Sequence, residues 1–325
     1  MPGTEEREPT AKNPAGEGNG HYQRKPDWLK TNLSQGPEYR RIKRLMKDLS
    51  LHTVCAEARC PNIHECWEHG TATFMILGDV CTRSCGFCAV KFGLPNELDL
   101  MEPHRVAEAV KHLRLKHVVI TSVARDDLAD GGASIFADTI RTVHRHNPAT
   151  AVEVLVPDFA ADRGSVASVI GAGPQIFSHN LETVRRLTPR VRSRATYDRS
   201  LAVLRAAGDL VRERGIDCMT KSGIMLGLGE TRDEVLETMQ DLQTAGCSIM
   251  TMGQYLRPSQ DHLPVAAYIH PDEFAAYRKE GLAMGLKHVE AGPLVRSSYH
   301  AHEQVDRAQS FGEGAASVAA GGAGS

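Results

Sequence analysis

Six of the eight cysteines in the sequence lie between residues 55 and 88. In CAEARCPNIHEC they form a first triplet, Cys55, Cys60 and Cys66. In CTRSCGFC they form a second triplet, Cys81, Cys85 and Cys88. The N-terminal sequence has no apolar region typical of a secretory signal, so we expect a cytoplasmic protein whose thiols stay reduced. Disulfides are therefore not expected, and the triplets predict metal or redox chemistry.

The second triplet has the spacing C-x3-C-x2-C, which is compatible with three kinds of site. Its last two cysteines form a C-x-x-C, as in thioredoxin-like proteins, but a third thiol has no role in that chemistry. A zinc site would need a fourth ligand such as His52, His64 or His69, and structural zinc sites tend to use paired C-x-x-C knuckles. Three thiolates on a four-iron cluster leave one iron open for a substrate or cofactor. The spacing favours an iron–sulfur cluster and leaves the thioredoxin-like site and the zinc site open as alternatives.

The first triplet has the spacing C-x4-C-x5-C and is again one ligand short of four. Two incomplete triplets are improbable as two zinc sites. They are consistent with two four-iron clusters, each with a fourth ligand that is not a cysteine. The remaining cysteines, Cys218 and Cys247, stand alone at the edges of predicted strands, and we expect both to be buried apolar thiols.

Strand-like segments alternate with helical segments from residue 73 onward. The predicted strands are 73–77, 117–122, 151–156, 175–179, 220–227 and 249–255. The predicted helices between them are 104–115, 133–146, 162–171, 198–214 and 232–245. Six such units in sequence predict an α/β fold, a partial (βα)6 TIM-type barrel with N-terminal and C-terminal extensions over its mouth. Ligands bind such folds at the carboxyl ends of the strands, and the second triplet follows the first strand.

The N-terminal extension contains one predicted amphipathic helix, over residues 38–49. Its apolar face is marked by the helical spacing of Ile42, Leu45, Met46 and Leu49. Its other face is basic and carries Arg40, Arg41, Lys43, Arg44 and Lys47. We interpret this face as solvated, with docking of an acidic partner as the alternative.

The composition of the sequence predicts how the chain divides into segments, and it argues against several classes of function. The predicted parts are a disordered segment 1–25, an extension 26–72 with the first triplet, a barrel 73–302, and a flexible low-complexity tail 303–325. The 325 residues carry a net charge of −2, which argues against a nucleic-acid partner. No apolar run approaches the roughly 20 residues that span a bilayer. The sequence also lacks a Rossmann or P-loop glycine motif.

The second triplet, with Phe87 before its last cysteine, resembles the radical S-adenosylmethionine (SAM) superfamily. The first triplet and the C-terminal RSSY (296–299) narrow the resemblance to the lipoyl synthase family. The similarity extends from KPDWLK (25–30) to RSSYHA (296–301). It includes stretches that are weak signals individually, namely TSVARDDLADGG (121–132), HNLETV (179–184), MLGLGE (225–230) and GQYLRPS (253–259).

This resemblance implies two [4Fe–4S] clusters and SAM as cofactors. The cluster on the second triplet would bind SAM and reduce it to methionine and a 5′-deoxyadenosyl radical, which can remove hydrogen from an unactivated C–H bond. The family's substrate is an octanoyl chain on a lysine of a lipoyl-carrier protein. Hydrogen is removed from C6 and then C8, and two SAM molecules are consumed. The cluster on the first triplet would be the source of the two inserted sulfur atoms.

The resemblance also implies roles for residues outside the triplets. Ser298 of RSSY is expected to be the fourth ligand of the first-triplet cluster, with Ser297 as its neighbour. An alkoxide or hydroxyl binds iron less firmly than a thiolate, so that iron would be released readily. An apparent strand over residues 288–292 would carry Ser298 to the barrel mouth. Asn180, Glu182, Arg194 and Glu230 lie at or just beyond predicted strand ends, where they are expected to contact SAM; the alternative for each is a helix N-cap, a surface charge or a helix salt bridge. The rim is expected to be ordered by Arg125, Asp126 and Asp127.

Three kinds of partner follow from the resemblance. The substrate would be an octanoylated lipoyl-carrier domain or the glycine-cleavage H protein, the electron donor a ferredoxin or flavodoxin, and the third partner an iron–sulfur cluster carrier. No nucleic-acid or membrane partner is expected. One alternative is a radical SAM enzyme whose second cluster transfers electrons, although electron transfer does not require a labile serine ligand. The other is a zinc-stabilised binding protein, which would be colourless where an iron–sulfur protein is brown.

Overall fold

The computed structural model describes residues 24–31, 35–68 and 72–298. The predicted tail 303–325 lies outside these residues, as does the predicted disordered segment 1–25 apart from its last two residues. Both cysteine triplets and all predicted strands and helices lie within them.

Most of the strands in the described residues belong to one sheet. The strands are β1 (His52–Thr53), β2 (Thr73–Ile76), β3 (Val80–Cys81), β4 (Lys91–Phe92), β5 (His117–Ser122), β6 (Ala151–Leu155), β7 (Ile176–Ser178), β8 (Met219–Leu226), β9 (Ile249–Gln254) and β10 (His288–Ala291). The large sheet has the order β1-β2-β5-β6-β7-β8-β9-β10, and β3 pairs with β4 separately. Only the β1–β2 pairing is antiparallel within that sheet.

The six predicted strands are β2 and β5 to β9, and the apparent strand over 288–292 is β10. The predicted α/β fold with a partial barrel is therefore confirmed. β1 and β10 are the two edges of the sheet, and no strand pairing joins them in the described part of the chain.

Helices follow the strands as predicted. They are α1 (Pro37–Asp48), α2 (Val54–Glu57), α3 (Ile63–Glu68), α4 (Glu102–Leu113), α5 (Ala133–His146), α6 (Arg163–Ile170), α7 (Thr188–Val191), α8 (Tyr197–Arg214), α9 (Arg232–Thr244) and α10 (Pro271–Ala283). Local interactions define the ends of two long helices. α9 begins with a capping box between Thr231 and Glu234. α8 ends at Gly215, whose backbone has a left-handed conformation.

The two faces of the sheet differ because successive side chains of a strand point to opposite sides. Val152 and Val154 of β6 belong to a buried apolar cluster that also contains Phe136 of α5. Glu153, between them, points to the inner side, where its Oε1 lies 2.7 Å from Nζ of Lys221 on β8. Burial opposes ionisation of Glu153, but Lys221 and His117 together outweigh burial, and the pKa of Glu153 is lowered. This buried ion pair was not predicted from the sequence.

The predicted helix over 38–49 is α1, and its buried residues are Tyr39, Ile42 and Met46. The five basic side chains of the other face are exposed, as expected. Cys218 and Cys247 are buried beside β8 and β9, which confirms that prediction. In the parts of the chain that the structure describes, no helix is both long and apolar enough to cross a membrane.

Candidate active site

The second triplet lies on the loop after β2, at the carboxyl edge of the parallel strands. The Sγ of Cys81 accepts hydrogen bonds from the backbone amides of Arg83 (3.4 Å) and Ala124 (3.3 Å). Ala124 follows β5, so this thiol joins the loops after two neighbouring strands. The three thiols are close enough to interact: burial, with smaller contributions from the charges of Cys85 and Cys81, raises the pKa of Cys88 to about 12.

Arg83 connects the second triplet to the loops after β5 and β6. Its guanidinium donates to Asp126 at 2.6 Å and to Asp158 at 2.7 Å. Burial lowers the pKa of Arg83, but the two carboxylates outweigh burial and hold the pKa above its usual value. The cysteine loop is therefore fixed across three strand ends by a group that stays charged.

The segment between β9 and α10 covers the other side of the cysteine loop. The Nε2 of His262 lies 2.9 Å from the carbonyl oxygen of Cys88, and the amide of Leu263 donates to the carbonyl of Gly86 at 3.0 Å. Tyr255, at the end of β9, donates its hydroxyl to the carbonyl of Leu263 at 2.7 Å. Sequence analysis missed His262 because an isolated histidine outside the cysteine motifs has no informative spacing.

Two of the four expected SAM contacts lie beside the second triplet. Glu182 follows β7 and is close enough for its charge to affect Cys85 and Cys88. Burial raises its pKa, while Arg192 and a hydrogen bond from Asn180 lower it to a smaller extent. The side-chain Oδ1 of Asn180 is buried and accepts no hydrogen bond from the described residues. Among the described residues, the Oδ1 of Asn180 therefore lacks a hydrogen-bond donor. The charge of Arg192 only partly offsets the effect of burial on the Glu182 carboxylate.

The other two expected contacts are placed differently. The side chain of Arg194 is 65% exposed, and its Nη1 lies 4.0 Å from Asp126, which Arg83 also binds. The carboxylate of Glu230 accepts hydrogen bonds from the amides of Gly227 and Leu228, so it closes the turn after β8. Contact of either residue with SAM stays a prediction.

Of the rim residues, Arg125 pairs with Asp127 at 2.8 Å and donates to the carbonyl of Leu77 at 3.3 Å. These contacts join the loop after β5 to the end of β2.

A buried chain of hydrogen bonds begins beside Cys85 of the second triplet and runs from Arg192 through Ser200 to His179. Arg192 donates to Ser200 at 2.7 Å, and Nε2 and Nδ1 of His179 lie 3.0 Å from Ser200 and 2.8 Å from the carbonyl of Val156. Because Ser200 accepts from Arg192, its hydroxyl can donate to Nε2, which leaves the Nδ1 proton for Val156. Burial lowers the pKa of His179 to about 4, so the ring is neutral. Burial lowers the pKa of Arg192, and the charges of Glu182 and Cys85 oppose this lowering.

The first triplet follows β1, the edge strand that pairs with β2, and lies on α2, α3 and the turn between them. Its thiols line a cavity together with Asn62, Thr73, Arg296 and Ser298. Burial, and then the charge of Cys60, raises the pKa of Cys55 to about 11. Burial, and then the charges of Cys55 and Cys60, raises that of Cys66 to about 12. The three thiols therefore share one partly closed space.

The C-terminal segment, residues 291–298, reaches the first triplet from β10. The side-chain Nδ2 of Asn62 donates to the carbonyl of Leu294 at 2.7 Å, which ties the cysteine turn to this segment. Ser298 lies in the lining of the same cavity as the three thiols. The Oδ1 of Asn62 is buried there with no hydrogen-bond partner among the described residues.

The donor sets fit iron–sulfur clusters. Among residues 24–31, 35–68 and 72–298, no three His, Cys, Asp or Glu side chains converge closely enough to hold a single metal ion. The first-triplet thiols instead stand around a cavity, and cysteines on a cluster bind separate iron atoms at its corners. Ser298 and the Oδ1 of Asn62, which has no hydrogen-bond partner among the described residues, add oxygen atoms to this cavity.

Comparison with known proteins decides the family. Residues 75–242 match the model of the radical SAM superfamily, and residues 4–60 match the N-terminal domain of lipoyl synthase. The lipoyl synthase of Rubrobacter xylanophilus is 61% identical over 285 residues, which cover 88% of each chain. That of Halalkalibacterium halodurans is 59% identical over 289 residues, covering 89% of this chain and 94% of its own. The chain belongs to the lipoyl synthase family.

Among solved structures, Streptococcus suis SuiB bound to precursor peptide SuiA superposes with a TM-score of 0.53 at 10% identity, over 71% of this chain and 52% of that one. This likeness shows a shared fold. The resemblance to the lipoyl synthase family inferred from the two triplets and RSSY is confirmed. The radical SAM match contains the whole second triplet, whereas the lipoyl synthase match ends at Cys60, within the first.

Further residues in this member of the lipoyl synthase family lie at the sites without having been predicted. Asn62 and Arg296 line the first-triplet cavity, and Arg192 lies beside Cys85. Asn62 and Arg296 belong to the CAEARCPNIHEC and RSSY motifs, so their motif positions were a usable signal. Arg192 lies outside every motif considered and had no such signal.

Proposed function

We propose that the chain catalyses the lipoyl synthase reaction: radical-mediated insertion of two sulfur atoms at C6 and C8 of an octanoyl chain on a lysine of a carrier protein. The observation that supports this most strongly is the difference between its two thiol sites. The second triplet lies at the carboxyl edge of the strands, whereas the first shares a cavity with Ser298 from the far end of the chain. A thioredoxin-like or zinc protein has no use for this pair of sites.

The residues present would hold one [4Fe–4S] cluster at each triplet. When bound, these groups supply an electron for cleavage of SAM at the second triplet and sulfur at the first. Because thiols bind iron as thiolates, the buried cysteines must lose protons on loading. Burial raises the pKa of Cys55 to about 11 and of Cys66 to about 12, so iron loading of the first triplet releases protons at neutral pH.

The residues beside the second triplet are suited to the polar ends of SAM. The Oδ1 of Asn180 needs a hydrogen-bond donor, which an ammonium or hydroxyl group supplies. Glu182 is held where burial opposes its charge, so an ammonium group nearby would favour ionisation. The exposed guanidinium of Arg194 can pair with a carboxylate. Glu230 would act through the turn that it closes.

Ser298 would be the weak fourth ligand at the first triplet. An oxygen ligand binds iron less firmly than a thiolate. A serine therefore completes the site while leaving one iron easier to release than the three held by cysteines. Its place in the cavity lining supports this role.

The function requires a lipoyl-carrier protein as substrate and an electron donor. We propose octanoylated lipoyl domains or the glycine-cleavage H protein as the carrier, and ferredoxin or flavodoxin as the donor. An iron–sulfur cluster carrier would rebuild the first-triplet site after its sulfur is used. We also propose a cytoplasmic location, where reduced thiols and these partners are found together.

The decisive experiment is anaerobic reconstitution with iron and sulfide. Iron and sulfide are then counted, and an octanoyl-lysyl peptide is examined by mass spectrometry after incubation with SAM and a reductant. We expect iron at both triplets and a peptide that has gained two sulfur atoms. A colourless protein, or a peptide that stays unchanged while both sites are loaded, would contradict the proposal.

Two variants separate the sites. The second-triplet variant carries Cys81→Ala, Cys85→Ala and Cys88→Ala, and the first-triplet variant carries Cys55→Ala, Cys60→Ala and Cys66→Ala. Each should retain about half of the iron, because each keeps one of two equivalent-sized sites. The first-triplet variant should cleave SAM without inserting sulfur, and the second-triplet variant should do neither. Formation of 5′-deoxyadenosine by the second-triplet variant would show that the roles are assigned wrongly.

A further inference from the structure

Arg296 is the one cationic side chain in the described lining of the first-triplet cavity. Arg296 shares this lining with Cys55, Cys60 and Cys66. Its Nη1 donates to the carbonyl of Val295, its own neighbour, at 2.6 Å. Within residues 24–31, 35–68 and 72–298, no Asp or Glu carboxylate lies close enough to Arg296 to pair with it. Arg83 at the second triplet, by contrast, pairs with the carboxylates of Asp126 and Asp158.

The backbone around Arg296 fixes its guanidinium in place. The C-terminal segment approaches β9 so closely that a Cβ at Gly253 would clash with the carbonyl of Val295 and would lie 3.0 Å from Nη1 of Arg296. Only glycine allows this approach. The guanidinium is therefore held between β9 and the cavity and does not extend freely into solvent.

A half-buried cation without a carboxylate is costly unless another negative charge compensates it. The three thiols supply such a charge when they bind iron, because they are then thiolates. A guanidinium also has several N–H groups directed to one side, which suits hydrogen bonding to sulfur or oxygen atoms in the cavity.

We propose that Arg296 is the counter-ion of the group bound at the first triplet. Its fixed positive charge compensates the thiolates, stabilises the loaded site and makes the uptake of one electron there easier. Arg296 acts through the bound group and is a positioning residue. This inference rests on the proposed function, since it requires an iron–sulfur cluster at Cys55, Cys60 and Cys66.

The test uses the full chain in the second-triplet variant, so that iron can bind only at the first triplet. Into this background we would introduce Arg296→Met and Arg296→Lys, with Arg44→Met as the control, since Arg44 is an exposed arginine on α1. Three quantities are measured: the midpoint potential of the reconstituted protein, the rate of iron loss to a chelator, and the melting temperature of the iron-free protein.

Arg296→Met should shift the midpoint potential to a more negative value and speed iron loss about tenfold, the effect of losing roughly 1.4 kcal/mol. Arg296→Lys keeps the charge and should recover part of both quantities, and Arg44→Met should match the parent. The iron-free Arg296→Met protein should melt no lower than its parent, because the substitution removes an uncompensated charge.

The inference is overturned if the potential and the iron-loss rate of Arg296→Met equal those of the parent, or if lysine and methionine give equal potentials. A lower melting temperature of the iron-free protein with an unchanged potential would assign Arg296 a purely structural role. Absence of iron from the first triplet of the parent would instead refute the proposed function. The two failures are therefore distinguishable.

Discussion

At the scale of single residues, the first thiol site includes a serine from the far end of the described chain. Ser298 lines the cavity that the first-triplet thiols share. We predict that Ser298→Ala strongly reduces sulfur insertion while SAM cleavage is largely kept, because only the first site loses a ligand. Ser298→Cys should also insert sulfur poorly, since a thiolate holds iron more firmly than an alkoxide. Product mass spectrometry and 5′-deoxyadenosine yields measure the two steps.

Ser297→Ala is the matched control for Ser298. It removes the neighbouring hydroxyl and leaves the cavity lining unchanged. Full sulfur insertion by Ser298→Ala, or a larger loss in Ser297→Ala, would move the role to Ser297.

A second residue-scale prediction concerns His179, which is 1% exposed and whose pKa is lowered by burial to about 4. In the unfolded chain the imidazole titrates at its ordinary value of about 6.5. Between these values the unfolded state binds the proton and the folded state does not, so stability falls as pH falls. The loss should reach about 3 kcal/mol by pH 4. Urea unfolding of the iron-free chain at several pH values measures it.

His179→Gln is the comparison, since glutamine does not titrate. Its free energy of unfolding should depend less on pH between 6.5 and 4 than that of the parent. Parallel curves for the two proteins would mean that His179 has the same pKa in the folded protein as in the unfolded chain.

The cysteines were predictable as site residues because few other roles need three reduced thiols at close spacing. Ser298 was predictable only through the family motif, since a lone serine has many structural roles. Asn62 and Arg296 were not predicted, although both lie in recognised motifs. Asn62 contacts Leu294, and Arg296 lies near Cys60. Both pairs join residues from distant parts of the chain, so the sequence does not reveal them.

At the scale of elements, the C-terminal segment (291–298) must be held in place for Ser298 to reach the first triplet. The hydrogen bond from Asn62 to the carbonyl of Leu294 provides this anchor. We predict that Asn62→Ala speeds iron loss from the first triplet about tenfold, the effect of one buried hydrogen bond of roughly 1.4 kcal/mol. SAM cleavage should be unchanged because the second triplet is not contacted. Iron-release kinetics measured with a chelator give the answer.

Asn147→Ala is a matched control, because Asn147 also donates to a backbone carbonyl, that of Ala107, far from either triplet. It should leave iron release unchanged. Equal rates in Asn62→Ala and the parent would show that the segment is held without this bond.

The elements themselves were largely predictable. Strands β2 and β5 to β9 are apolar segments bounded by helices, so hydrophobic periodicity found all six. The short strands β1, β3 and β4 were missed because two residues carry no periodic signal. The buried pair of Glu153 and Lys221 was missed for a different reason. The sequence shows a charged residue in each of two predicted strands, but it does not show that the two strands lie on either side of β7 with these side chains facing each other.

At the scale of the whole molecule, the two edges of the sheet contribute to one site. The first triplet follows β1 at one edge, and Ser298 follows β10 at the other. No strand pairing joins these edges in the described residues, yet Asn62 and Leu294 are hydrogen bonded across a separation of 232 residues. The first-triplet cavity therefore connects the segments that adjoin the two edge strands, through the side chain of Asn62 and the carbonyl of Leu294.

This arrangement predicts that iron at the first triplet stabilises both ends of the chain together. In the second-triplet variant, loading with iron should slow amide exchange in 54–66 and also in the C-terminal segment, 291–298. The expected slowing is at least about tenfold, which corresponds to roughly 1.4 kcal/mol of local stabilisation. The first-triplet variant is the control: loading its remaining site should protect residues 81–93 and leave 291–298 unchanged. Protection confined to 54–66 would show that the C-terminal segment does not contribute a ligand, and Ser298 would lose its assigned role even though it lines the cavity.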